Sequence, residues 1–153
     1  MAVDLSEITG QIAGEFDDQF NERGLAYVFR QQEGQILVNT DSNHLCRVLE
    51  NLFGNAVKYS LPGTRVFAEI NMRGSKAALS LKNTSKDPID MPADDLTEQF
   101  IRGDRARHTD GSGLGLHIAK SLVELMGGSF EIRASGDLFE VEIVFEPSES
   151  GYI

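Results

Sequence analysis

The sequence is poor in cysteine, in basic residues and in long apolar runs. Its one cysteine, Cys46, cannot close an internal disulfide, and no stretch joins a basic start to an apolar core as a secretory signal does. Both points fit a cytoplasmic setting. No segment approaches the roughly 18 to 20 apolar residues needed to cross a bilayer, so the chain as given is expected to be soluble. Only 14 basic residues face 24 acidic ones, and the resulting charge of −10 repels nucleic acid and anionic headgroups from the molecule as a whole. Nucleic acid and membrane are thereby excluded as general partners. A local basic pocket for an anionic ligand is not.

What remains is enough for one core. At 153 residues and 41% hydrophobic content, residues 1–153 read as one domain. Between residues 4 and 21, Leu5, Ile8, Ile12, Phe16 and Phe20 recur at steps of three and four, predicting one amphipathic helix stopped by Gly24. Residues 25–30 and 35–39 read as a hairpin turning at Gln32-Glu33-Gly34. A second helix, capped by Asp41 or Ser42, reaches Tyr59 and ends at Leu61-Pro62-Gly63. Hairpins are also predicted over residues 65–82 and 130–145, turning at Arg73-Gly74-Ser75 and Ser135-Gly136-Asp137. Between them lie a polar stretch, with one short helix over 93–100, and a helix over 113–126. That helix presents Leu114, Ile118, Leu122 and Leu125 at helical spacing and stops at Gly127-Gly128. Residues 147–153 read as a loose tail. This order favours an α+β two-layer sandwich, a mixed sheet of about five strands on three helices.

The second helix carries an unusual polar stripe. Leu45, Val48, Leu49, Leu52, Phe53 and Ala56 form its apolar face, while Asn51, Asn55 and Lys58 fall at i, i+4 and i+7 beside it. Asparagine is a poor helix former, so an ordinary solvated stripe would use Glu, Lys, Gln or Arg instead. An asparagine carbonyl is a neutral oxygen ligand for Mg, and a lysine one turn on can neutralise a phosphate oxygen. The competing reading is a plain surface.

Further along, Gly111-Ser112-Gly113-Leu114-Gly115-Leu116 places three glycines at alternate positions where a helix opens. Glycines allow close backbone approach, and a helix N-terminus offers free N–H groups to an anion. No Gly-Lys-Ser/Thr follows, which excludes a P-loop, and the preceding residues are a polar loop rather than the buried strand a Rossmann fingerprint needs. A structural turn is the alternative. In that loop Arg102, Arg105 and Arg107 concentrate three of the 14 basic residues within six positions, as suits a polyphosphate under a lid or simply a solvated loop.

Together these motifs resemble those of the catalytic, ATP-binding domain of bacterial two-component sensor histidine kinases, a Bergerat-type fold. Residues 51–60, Asn-Leu-Phe-Gly-Asn-Ala-Val-Lys-Tyr-Ser, look like its N box; Phe100-Ile101-Arg102 resembles its F box, and residues 111–116 its second glycine box. Residues 4–20 resemble the segment that follows the dimerising phosphoacceptor domain. The resemblance implies that Asn55 binds Mg, that Asn51 supports the phosphate and metal end, and that Lys58 and Arg102 meet the triphosphate. Tyr59 would lie near the nucleotide, and Gly111, Ser112, Gly113, Leu114, Gly115 and Leu116 would cradle phosphates. The implied activity is transfer of the γ-phosphate of Mg-ATP to a histidine on a separate phosphoacceptor domain, with a response regulator downstream. The chain would then be the cytosolic part of a membrane-anchored kinase, itself touching neither membrane nor nucleic acid.

One element departs from the pattern. The family places Asp-x-Gly-x-Gly after the fourth strand, its aspartate accepting from the adenine amino group, whereas this chain has Asn83-Thr84-Ser85-Lys86-Asp87. Asn83 is the candidate adenine contact; an amide oxygen still accepts but without charge assistance. None of His44, His108 and His117 precedes an acid as the phosphoacceptor does. Two other readings stand beside this one: a degenerate nucleotide-binding or interaction module, and a related ATPase or serine kinase of the same fold. Against the ATPase, the water-activating glutamate's position is Asn51, and Glu50 lies about 100° round the helix.

Overall fold

The computed structural model describes residues 2–32, 34–87 and 115–146. In chain order the elements are β1 (Ala2–Asp4), α1 (Leu5–Glu15), α2 (Asp17–Glu22), β2 (Ala26–Gln31), β3 (Leu37–Asn39) and α3 (Ser42–Tyr59). There follow β4 (Arg65–Arg73), β5 (Lys76–Thr84), α4 (Gly115–Leu125), β6 (Ser129–Ser135) and β7 (Leu138–Phe145). Five strands form one mixed sheet in the order β2-β4-β5-β7-β6, and β1 pairs with β3 in a separate two-stranded ribbon. The α+β layering with a five-stranded mixed sheet is therefore as the sequence predicts.

Strand alternation builds the two faces. On β4 and β5, Val66, Ala68 and Ile70 share a face with Ala77, Leu79 and Leu81, Ala68 opposite Leu81 and Ile70 opposite Leu79, and all six are buried. They pack in one hydrophobic cluster with Leu5, Ile8 and Ile12 of α1, the predicted apolar face of α3, and Leu116, Ala119 and Val123 of α4. The opposite face carries charge. There Glu142 of β7, only 3% exposed, is bridged by Arg73 at 2.6 Å and Arg133 at 3.0 Å, and Lys82 pairs with Glu69 at 2.9 Å.

The hairpins over β4–β5 and β6–β7 form as predicted, both antiparallel, with Gly74 and Gly136 at φ +60° and +63° in the turns. Helix α3 also runs as predicted. The Asp41 carboxylate caps it, accepting from the backbone N–H groups of Asn43 (2.8 Å) and His44 (3.1 Å).

Three expectations are corrected. Residues 25–39 do not form a hairpin: β2 runs parallel to β4, with Ala26 opposite Arg65 and Gln31 opposite Ile70, while β3 pairs antiparallel with β1. Alternation identifies a strand without identifying its partner, and the return helix α3 makes β2 and β4 the ends of a strand–helix–strand crossover. The first helix is broken at Phe16 (φ −101°, ψ 2°), whose ring stacks on Phe53 at 6.0 Å. The predicted apolar residues still face the core on both sides of that break. In α4 the buried row is Leu116, Ala119 and Val123; Ile118 and Leu122 sit at its margin and Leu125 is 70% exposed. Two rows of α4 have helical spacing, and the one carrying the small Ala119 is buried. The predicted short helix over 93–100, the residues Leu114, Arg102, Arg105, Arg107 and His108, and the tail over 147–153 lie outside the described residues.

Candidate functional site

Helix α3 holds its polar stripe at the border of the core. Asn51, Asn55 and Lys58 are each half-buried, while the residues between them, Leu52, Phe53, Ala56 and Val57, are buried. The core face fixes the roll of the helix, and with it the direction of the stripe. The side-chain nitrogen of Asn51 is buried with no hydrogen-bond partner among the described residues. A buried amide without a partner costs about 1–3 kcal/mol, so such an atom is worth explaining. The start of α4 abuts it: a Cβ on Gly115 would lie 3.9 Å from both the Asn51 Cβ and the Asn51 carbonyl oxygen. The first-turn residues of α4 and the stripe of α3 are thus neighbours, although they are far apart in sequence.

At the C-terminal end of α3, the Lys58 ammonium sits 5.4 Å from the centroid of the Tyr59 ring. The Lys58 carbonyl accepts from the Arg23 guanidinium at 3.3 Å, and the Tyr59 carbonyl accepts from the Lys86 backbone N–H at 3.0 Å. Ser60 then bridges Ser85 in antiparallel register, and Leu61 donates to the Thr84 carbonyl at 2.8 Å. This seam ties the end of the helix to the end of β5, where Asn83 stands.

Asn83 continues the inward-facing row Ala77, Leu79, Leu81. It lies between Val66 of β4 and Phe139 of β7 and is 3% exposed. The Ser60 hydroxyl, in a residue with no exposure, is buried and has no partner among the described residues. Sequence reasoning placed Ser60 inside a motif but gave it no role. Its position directly after Tyr59 and before Leu61-Pro62-Gly63 was the available signal.

Of the predicted site residues, the structure describes Asn51, Asn55, Lys58, Tyr59, Asn83, Gly115 and Leu116. It brings Asn51 against Gly115, and Tyr59 against the segment that follows Asn83. Leu116 is buried at 1% exposure and acts as a core residue that anchors the first turn of α4. Arg102, Gly111, Ser112, Gly113 and Leu114 lie outside the described residues. Glu50 is exposed, in keeping with its place off the stripe.

The comparisons with known proteins agree with this fold. Residues 40–149 match the family model described as histidine kinase-, DNA gyrase B- and HSP90-like ATPase. The chain is 32% identical over 149 residues to the sensor protein VanS of Enterococcus faecium, covering 95% of this chain and 38% of that protein. It is 30% identical over 146 residues to the probable sensor protein PcoS of Escherichia coli, covering 94% and 30%. It therefore spans about a third of the length of these relatives. Among solved structures, the catalytic domain of histidine kinase ThkA in a nucleotide-free form aligns with a TM-score of 0.83 at 20% identity, covering 95% of this chain and 94% of that one. Full-length ShkA in complex with AMPPNP aligns with a TM-score of 0.79 at 23% identity, covering 97% and 31%. With well over half its length matched by one family model, the chain belongs to the histidine kinase-, DNA gyrase B- and HSP90-like ATPases and is homologous to sensor histidine kinases.

Proposed function

We propose that this chain is the catalytic domain of a sensor histidine kinase. It binds Mg-ATP beside α3 and donates the γ-phosphate to a histidine on a separate phosphoacceptor domain, from which a response regulator is served. The observation that carries the reading is the pair of buried, unpartnered polar groups along α3 and its junction with β5, the Asn51 amide nitrogen and the Ser60 hydroxyl, with the buried Asn83 beside them at the end of β5. Such groups call for an explanation, and a ligand that completes them is one.

Phosphoryl transfer depends mainly on positioning and charge neutralisation. The Asn55 carbonyl oxygen would serve as the protein ligand of Mg, a cation that prefers oxygen donors and shares its shell with water and phosphate. When bound, the metal would neutralise charge on the phosphate oxygens. Asn51 orients that end of the site, Lys58 supplies a fixed positive charge, and Arg102 adds a guanidinium. Tyr59 borders the nucleotide. Gly111, Ser112, Gly113, Leu114, Gly115 and Leu116 offer backbone N–H groups at the opening of α4, and Asn83 meets the base. No base within the chain is needed, because the nucleophile arrives as an imidazole on the partner domain. Without that domain the chain transfers no phosphate to itself.

Calorimetric titration with a non-hydrolysable ATP analogue, with and without Mg, tests the reading. Binding should be Mg-dependent, and Asn55→Ala should weaken it about tenfold or more. No binding at millimolar nucleotide would leave a degenerate interaction module as the better account.

A further inference from the structure

The junction of α3 with the end of β5 is formed by Ser60, Asn83, Thr84 and Ser85, none of them a carboxylate. Asn83 is 3% exposed there, and the Ser60 hydroxyl is buried with no hydrogen-bond partner among the described residues. Ser60 bridges Ser85, and strand alternation places Ser85 and Asn83 on the same side of the chain, so both groups face the same space. The carboxylates nearest along the chain, Asp87 and Asp137, are exposed, and Glu142 belongs to the opposite face of the sheet.

Each of these groups both donates and accepts. A carboxylate only accepts, so it favours a base that presents an amino group and repels one that presents a carbonyl. An amide turned by half a rotation about its last bond exchanges acceptor for donor, and a hydroxyl does the same by rotating its proton. Inside a dry pocket the difference is large, because a mismatched buried polar group keeps its desolvation cost. We propose that this site accepts a 6-oxopurine nucleotide as well as the 6-aminopurine ATP, with Asn83 and Ser60 as the residues that permit it. The proposal rests on the nucleotide-binding reading above.

Inosine triphosphate is the direct probe, since it differs from ATP only where the purine carries oxygen and a ring proton in place of the amino group. Titrated into this chain with Mg, it should bind within about tenfold of ATP. Asn83→Asp should shift the ratio toward ATP by about tenfold or more, because the carboxylate restores an acceptor-only edge. If circular dichroism reports that this variant does not fold, Asn83→Leu takes its place and should weaken both nucleotides to a similar extent. ATP binding with a larger discrimination against inosine triphosphate in the unmodified chain overturns the inference alone. A ratio that Asn83→Asp leaves unmoved, or that Asn83→Leu moves, also overturns it. Failure of both nucleotides to bind overturns the ATP reading and this one together.

Discussion

At the scale of single residues, the aromatic cluster under α1 and α2 contains an unmet polar group of its own. Tyr27 stacks on Phe20 at 5.6 Å with an interplanar angle of 3° and meets Phe53 edge-on at 5.6 Å. Its hydroxyl is buried without a partner, and burial pushes the phenol up from 10.0 to about 12. Below pH 10 the folded and unfolded states both hold the proton, so stability does not change with pH through this group. Above it the unfolded chain ionises first, and stability falls until the folded phenol also ionises near 12. Tyr27→Phe keeps the ring packing and removes the orphaned hydroxyl. It should therefore raise stability at neutral pH by about 1 kcal/mol, read by chemical denaturation, and should blunt the alkaline loss. A destabilised variant would mean that the hydroxyl has a partner, such as an ordered water. Ser60 poses the same question of an unmet group, but beside the candidate site, where a ligand can answer it.

At the scale of elements, the ribbon of β1 and β3 holds α1 by its cap. The Asp4 carboxylate accepts from the backbone N–H groups of Ser6 (3.0 Å) and Glu7 (3.2 Å) and from the Gln35 side chain (3.1 Å). Burial pushes this carboxyl up, but the hydrogen bonds from Gln35, Glu7 and Ser6 outweigh it and hold the group below its usual 3.8. Its contribution is complete above that value and is lost as the pH falls below it. Asp4→Ala should cost about 1 kcal/mol at pH 7 and should flatten the acid limb of a stability profile measured by thermal melting against pH. An unchanged profile would mean that the cap contributes nothing. Elements like these also set what could be read in advance. Helix α3 and the two hairpins were legible because their signals are local: a capping aspartate, one apolar row, and glycine in the turn. The partners of β2 and β3 were not, since alternation in Ala26–Gln31 and Leu37–Asn39 is the same whichever strand lies alongside. The stripe Asn51, Asn55, Lys58 was legible as geometry. The burial of Asn83 was not, because a polar residue at a strand end reads as the start of a loop until Val66 and Phe139 are seen to flank it.

At the scale of the whole molecule, the sheet divides two environments: an apolar layer beneath the helices, and an outer face where Glu142 is shared by Arg73 and Arg133. Two of the four pairings in this sheet, β4 with β5 and β6 with β7, are closed by short turns. The other two are not: β5 meets β7 only after α4 and β6, and β2 meets β4 only after the chain has passed through β3 and the whole of α3. That detour is a kinetic matter. Closing a long loop forfeits chain entropy before any contact repays it, so the parallel edge should form late, after the two hairpins. Pulse-labelling hydrogen exchange during refolding should find the amides of the β4–β5 and β6–β7 hairpins protected before those of Ala26–Gln31; simultaneous protection would point to a single concerted nucleus. The sequence span that delays the edge is the one that holds Asn51, Asn55 and Lys58. A late step of assembly would thus also be the one that locks the polar stripe of α3 in place, so that a newly made chain completes its hairpins before the proposed nucleotide site is assembled.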